Sequence, residues 1–349
     1  MYSIKNILGL ILLLITIVSP KISSSQDIHF SQFYASRLIV NPAMTGFINE
    51  EYRVGAQFRS QWNGFTNGYT TIGASAEGSF FKGRWRDDYF GAGLQMYRDF
   101  AGDAALGNNT IALSGAYSKG LGNDGRHALA LGFQALAYQL TINPGDLYFD
   151  NQYNGVILDT DIPPSSFVNS ASDISFDLAA GLNYHFIPGD AFNFYAGISA
   201  YQILESEANL LTEGVAKRNR RYTAHFAGDF YVSRPMNILI AGMYLQQASL
   251  RQINTGFMLQ FFLDDHNLES PTRFNIGTFL RYSSPLPDAL IVSARMDYQN
   301  VSLGMSYDFN ISGLNTSSDF RGAYELSLFY NGLFTTAGQR NFVMPCPSL

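Results

Sequence analysis

The stretch Ser175-Phe176-Asp177-Leu178-Ala179-Ala180-Gly181-Leu182-Asn183-Tyr184-His185-Phe186 decides the fold. Phe176, Leu178, Ala180, Leu182, Tyr184 and Phe186 share one parity, and Ser175, Asp177, Ala179, Gly181, Asn183 and His185 share the other. Successive side chains of a strand point to opposite faces, so this period of two marks a strand with one apolar and one polar face. The run is longer than the mean strand of soluble proteins, about 5–6 residues. It suffices to cross a bilayer at a tilt, which takes about 9–11.

The pattern recurs along the chain. Tyr52, Val54, Ala56 and Phe58 oppose Arg53, Gly55, Gln57 and Arg59; Ile72, Ala74, Ala76, Gly78 and Phe80 oppose Thr71, Gly73, Ser75, Glu77 and Ser79. Strands are predicted over 52–60, 69–81, 89–99, 109–119, 127–138, 174–186, 192–201, 222–233, 237–247, 251–263, 273–282, 289–298, 300–309 and 323–330. Fourteen is an even number, as a closed antiparallel membrane barrel requires of a single bacterial chain. Alternate connections are short, such as Arg234–Met236 and the Pro188-Gly189-Asp190 turn, whereas 100–108, 139–173, 202–221 and 310–322 are long. Outer-membrane barrels have short periplasmic turns and long outer loops. The long connections follow odd-numbered strands, which predicts both termini in the periplasm; 248–250 and 283–288 depart from the scheme by being short.

Charge placement separates inside from outside. Arg53, Arg59, Glu77, Asp177, Asp229, Arg281, Arg295, Asp297 and Glu325 all take the polar parity of their strands, as do Asp308, His185 and His225. On a lipid-facing wall such charges would be costly; inward, they form a candidate polar network of the lumen. A soluble β-sandwich would use the same parity with the faces reversed. Composition favours the barrel. Aromatics make up 15% of the 349 residues, with 28 Phe and 21 Tyr, and charged residues only 14%, against about 25% in ordinary soluble domains. A lipid-facing wall with aromatic girdles has this character.

Lys5 precedes the apolar run Ile7 to Val18, and small residues follow at Ser23 and Ser25. This is the layout of a secretory signal peptide over 1–25, with the mature chain starting near Gln26. The run is shorter than the roughly 20 residues of a spanning helix. Removing Lys5 and Lys21 with it moves the net charge from −6 to −8, which argues against a nucleic-acid partner. Residues 26–50 form a plug or periplasmic segment, in which Phe30, Phe33, Tyr34 and Leu38 fit one face of a short helix before Asn41-Pro42 ends it. The barrel takes 51–330, and 331–349 reads as a periplasmic tail.

Chemistry-bearing motifs are sparse. Gly120-Leu121-Gly122-Asn123-Asp124-Gly125 has the spacing of a dinucleotide fingerprint, but the next segment, from His127, reads as a strand and not the helix that motif needs; a hairpin turn fits better. His29, His127, His185, His225 and His266 are not spaced as metal pairs, the one Cys is Cys346, and no nucleophile elbow is present. The sequence thus points to no enzyme and no cofactor. Lys217-Arg218-Asn219-Arg220-Arg221 is the one basic cluster. Lys217, Arg218, Arg220 and Arg221 are a candidate patch for lipid phosphates or an acidic partner, with a solvated loop edge as the plainer reading. The long loop 139–173 is a candidate constriction.

Phe30-Ser31-Gln32-Phe33-Tyr34, then Asn41-Pro42-Ala43 and Gly46, then Arg53-Val54-Gly55 through Arg59-Ser60-Gln61-Trp62, resemble the PorP/SprF family. Ser306-Tyr307-Asp308, the segment from Gly322-Ala323-Tyr324 to Leu328 and the late Cys346-Pro347 resemble its C-terminal region. The resemblance implies an outer-membrane protein of Bacteroidota linked to type IX secretion; the signal peptide implies export through the Sec pathway. It implies as partners the secretion subunits and a secreted cargo such as a gliding adhesin, which the protein exports or tethers. Outer-membrane lipid is the other expected partner. The competing reading is a transporter of small hydrophobic molecules, since fatty-acid uptake barrels share an Asn-Pro-Ala near an N-terminal plug.

Overall fold

The computed structural model describes residues 27–334, apart from 63–66, 83–87, 123–125, 154, 160, 164–167, 190–191, 211–216, 234, 264–271, 285 and 314–320. Fourteen antiparallel strands close into a barrel in chain order, with the last paired to the first. They are β1 (Tyr52–Gln61), β2 (Tyr69–Phe80), β3 (Tyr89–Ala101), β4 (Leu106–Leu121), β5 (His127–Thr141), β6 (Ser175–Gly189), β7 (Phe192–Tyr201), β8 (Arg221–Ser233), β9 (Met236–Gln247), β10 (Leu250–Phe262), β11 (Arg273–Ser283), β12 (Leu286–Tyr298), β13 (Val301–Asn310) and β14 (Arg321–Gly332). All the predicted strands are present. The largest difference is at 100–108, where the expected loop shrinks to 102–105. β4 begins at Leu106, and Asn108 faces Asp99 across the pair. Gly107 permits this, because a Cβ there would sit 2.8 Å from Thr141 Oγ1.

Burial follows parity with the sense of a membrane barrel. Leu113, Phe133, Phe176 and Ile198 stand well exposed on the outer wall, while Gln134, Asn254, Asn275, Asp177 and Glu325 are buried inside. This is the arrangement of an outer-membrane barrel. Aromatic side chains gather near both rims. Phe90 against Tyr117 and Phe192 against Phe230 lie towards one, Trp62 against Tyr69 and Phe58 against Tyr324 towards the other, as in the interfacial belts of outer-membrane barrels.

The two rims differ. Connections 142–174 and 202–220 lie at the end reached by Gln61, Thr141 and Tyr201, here the long-loop end. The opposite, short-turn end holds Tyr52 and Gly332, which pair with each other. Register shifts at Arg281/Tyr282 and Asp308/Phe309 fall near the long-loop rim, a usual place for bulges that re-aim a side chain. The Pro188-Gly189 pair belongs to the end of β6, where the register slips between Phe186 and Gly189.

Candidate functional site

The lumen contains the chain's own N-terminal segment. Residues 27–50 form a strap that begins at the long-loop end. There the Asp27 carboxylate accepts from Arg221 Nη1 at 2.8 Å and Gln202 Nε2 at 2.8 Å, and Asp27 N donates to Gln247 at 2.9 Å. The strap descends the lumen and leaves at the short-turn end, where Ser79 N donates to Glu51 O at 2.8 Å and Glu51 N to Gly332 O at 2.9 Å. The first and last described parts of the chain therefore sit at opposite rims. The termini themselves, and with them the expectation that both lie in the periplasm, fall outside the described residues.

Asn41 fixes the middle of the strap. Its Oδ1 accepts from Ala43 N at 2.8 Å, and its Nδ2 donates to Leu182 O at 2.9 Å and lies 3.0 Å from His225 Nε2. This caps the one-turn 3-10 helix Pro42–Met44, with Pro at its first position. The only α-helical turn of the strap is α1 (Arg37–Val40). The aromatic residues do not share one helical face, contrary to the sequence-based expectation. Phe33 and Tyr34 pack on Phe279 with ring centroids 5.9 and 5.4 Å away. Phe30 instead packs with Tyr97 of β3 and with Ile28 of the strap itself. The walls of a barrel recruit side chains in all directions, which a helical wheel cannot represent.

Glycines in the wall make room for the strap. A Cβ on Gly132 would lie 2.3 Å from the Pro42 carbonyl carbon and from Ala43 N, and one on Gly91 would lie 2.0 Å from Thr45 O. Gly46 itself turns with φ +73°, and its N–H donates to Glu77 Oε2 at 2.9 Å. Interior strand glycines mark such close backbone approaches.

The nine residues of the candidate polar network separate into groups. Arg59 of β1 donates to Glu325 of β14 and to Ser31 Oγ at 2.8 Å, and lies 3.2 Å from Asp308. Arg281 donates to Asp308 at 2.7 Å, to Asp288 at 2.6 Å and to Ser31 Oγ at 3.0 Å. Glu325 also accepts from the backbone N–H of Ser31 and Gln32. Arg53 pairs with Glu77 at 3.7 Å, covers the Phe329 ring and donates to Ala35 O at 3.3 Å. Arg295 and Asp297 pair at 3.2 Å. Asp177 accepts from Leu204 N at 2.9 Å and Ser206 N at 3.0 Å, fastening the loop 202–220. Asp229 is half-buried on β8. Parity reasoning did not single out Ser31, Asn41, Asp27 or Gly132 as functional. The strand glycines were the available signal.

The basic cluster also divides. Arg221 is 1% exposed and bonded to Asp27, so it is part of the strap anchor. Arg218 donates to Asn108 Oδ1 at 3.0 Å and covers the Tyr138 ring. Arg220 pairs with Glu205 at 3.5 Å, and Lys217 is exposed. A four-residue anion patch is thereby reduced to Lys217 and Arg220. His185 and His225 face the lumen as expected and touch Phe47 and Asn41 of the strap. His127 lies outside against Tyr184, and His266 falls outside the described residues.

Two cavities beside the strap measure about 20 and 10 Å³, room for a water molecule. A larger concavity of about 650 Å³ lies on the lipid-facing side of the wall, between Leu182, Ile198, Phe226 and Tyr244. The strap fills the passage with packed side chains and backbone.

A closed barrel with an apolar outer wall, a polar inner wall and an internal strap is an outer-membrane barrel of the plugged kind. Its sequence matches, over residues 22–330, the model of the type IX secretion system membrane protein PorP/SprF family, and the chain belongs to that family. Membership implies association with components of the secretion system. No curated protein matches the chain. Among solved structures, a deletion mutant of the TodX monoaromatic hydrocarbon channel is similar with a TM-score of 0.51 and 9% identity, over 85% of this chain and 94% of that one. The toluene transporter TbuX of Ralstonia pickettii (TM-score 0.47, 9% identity, 86% and 94% covered) and a FadL homologue of Pseudomonas aeruginosa (0.47, 11%, 85% and 94%) are also similar. At these identities the likeness is one of fold alone.

Proposed function

We propose that this protein serves type IX secretion as a plugged outer-membrane component that holds secreted proteins at the cell surface and does not conduct them through its own lumen. The observation that carries this reading is the strap. It occupies the barrel from rim to rim, with buried side-chain and backbone bonds to β1, β2, β7, β8, β11, β13 and β14. In this reading residues 1–25 are the cleaved Sec signal, the long-loop end faces outward, and the residues of the polar clusters are structural. No catalytic or cofactor role is assigned to any of them.

Two measurements test it. Affinity purification of the tagged protein from solubilised outer membranes should bring along secretion subunits or an exported surface protein that a control barrel does not. Recovery of the barrel alone, also after mild crosslinking, would sink the reading. In planar bilayers the purified protein should give no stepwise conductance; open-channel steps from the intact chain would favour a conduit. Uptake of a small apolar ligand dependent on this protein would instead support the transporter reading.

A further inference from the structure

The longest connection of the barrel is a built structure. In 142–174 the side chain of Gln152 is buried; its Oε1 accepts from Phe149 N at 2.9 Å and its Nε2 donates to Ile162 O at 2.9 Å. Asp159 N donates back to Gln152 O at 2.8 Å, and Tyr153 and Leu158 form an antiparallel bridge. Gly155 turns the chain between them with φ +93° and nothing within 4 Å of the position of its Cβ. The loop is tied to its neighbours by Asn143 N to Ala104 O at 2.8 Å and Asn169 N to Leu210 O at 3.2 Å.

This ordered projection carries apolar side chains into water. Val156 is 83% exposed, Tyr148 63%, Ile157 60%, Tyr153 57% and Leu158 43%. They belong to a connection beyond the long-loop rim, so the bilayer that explains exposed apolar residues on the strands does not explain these. Contiguous apolar patches rimmed by polar groups mark interaction sites. The rim has one sign. Between 142 and 174 stand Asp146, Asp150, Asp159, Asp161 and Asp173, and no Lys, Arg or His.

We propose that this hairpin is a docking site for an exported protein whose contact surface is apolar and bordered by Lys or Arg. The proposal rests on the tethering role argued above and supplies its contact. The apolar tip provides burial on association, and the carboxylates select a basic border and repel acidic surfaces. Lipid headgroups of an anionic outer leaflet are disfavoured by the same charge.

The test compares three forms in cells: the wild-type protein, the double variant Val156→Ser/Ile157→Ser, and the double charge variant Asp150→Lys/Asp161→Lys, all four positions being exposed. Their surface exposure predicts that all assemble in the membrane alike, checked by barrel yield and resistance to unfolding. The tip variant should retain secretion subunits while the exported protein that co-purifies with wild type falls by at least about tenfold, and the charge variant should show a similar loss. A photo-crosslinking residue at position 157 should reach that same exported protein, at a peptide containing apolar residues beside Lys or Arg. Undiminished co-purification with the variants overturns the docking site and leaves the tethering role standing. Crosslinks only to lipid, or only to a second copy of this chain, also overturn the site. Absence of any exported protein from the wild-type sample removes the tethering role, and the docking proposal with it.

Discussion

Replacing Gly132 by valine should expel the strap and turn a closed barrel into a conducting one. The Cβ alone would meet the Pro42 carbonyl carbon and Ala43 N at 2.3 Å, and both partners are backbone, with no side chain that can rotate away. Overpacking of this kind costs about 1–3 kcal/mol where neighbours can yield. Here Asn41 holds the facing backbone through Leu182 O and His225, so relief requires the strap to leave. The barrel wall persists without it, because its strands are joined by a continuous ladder. Stepwise conductance in planar bilayers and new protease cleavage within 27–50 are the expected readouts. Gly115→Val is the control, since Gly115 lies on the lipid face and its Cβ would come no closer than 3.9 Å to the Gly91 oxygen. A Gly132→Val barrel that stays silent and protease-resistant would show that the strap can repack.

Arg59→Met should be the most destabilising single change in the polar lumen. Arg59 and Arg281 together face Glu325 and Asp308, all of them nearly inaccessible. Removing one cation leaves carboxylate charge buried and undercompensated, a loss of about 3–5 kcal/mol. The midpoint of urea-induced unfolding in lipid vesicles should fall accordingly. The pair Arg59→Met/Glu325→Gln should recover part of it, because the uncompensated charge is then removed as well. Equal stability of wild type and Arg59→Met would show that Arg281 alone balances the cluster.

Strand number, strand faces and the inward set of charges were legible in the sequence because they depend on local period alone. Phe176, Leu178 and Leu182 could only share a face. Which charges meet was not legible. Arg59 and Glu325 are separated by 266 residues and Arg221 and Asp27 by 194, and such pairs are set by barrel closure and by the path of the strap. The aromatics Phe30, Phe33 and Tyr34 suggested a helical face, and the lumen drew them to different walls. Arg218 and Arg221 read as surface cations for a related reason: nothing local says that Asn108, Tyr138 or Asp27 will be beside them. The basic run marks an anchor as much as a surface.

The clasp at Ser31 has a consequence for how the molecule is made. Arg59 comes from the first strand and Glu325 from the last, and both bind one short piece of the strap. The seam where the cylinder finally shuts is thus also the place where its contents are gripped. Residues 27–48 are therefore expected to enter the lumen while this seam is still open, and to find no way in once it has shut. Adding residues 26–48 as a free peptide to an already shut, strapless barrel should fail to restore it, whereas the same peptide present during refolding should be captured; equal capture in both orders would refute this sequence of assembly.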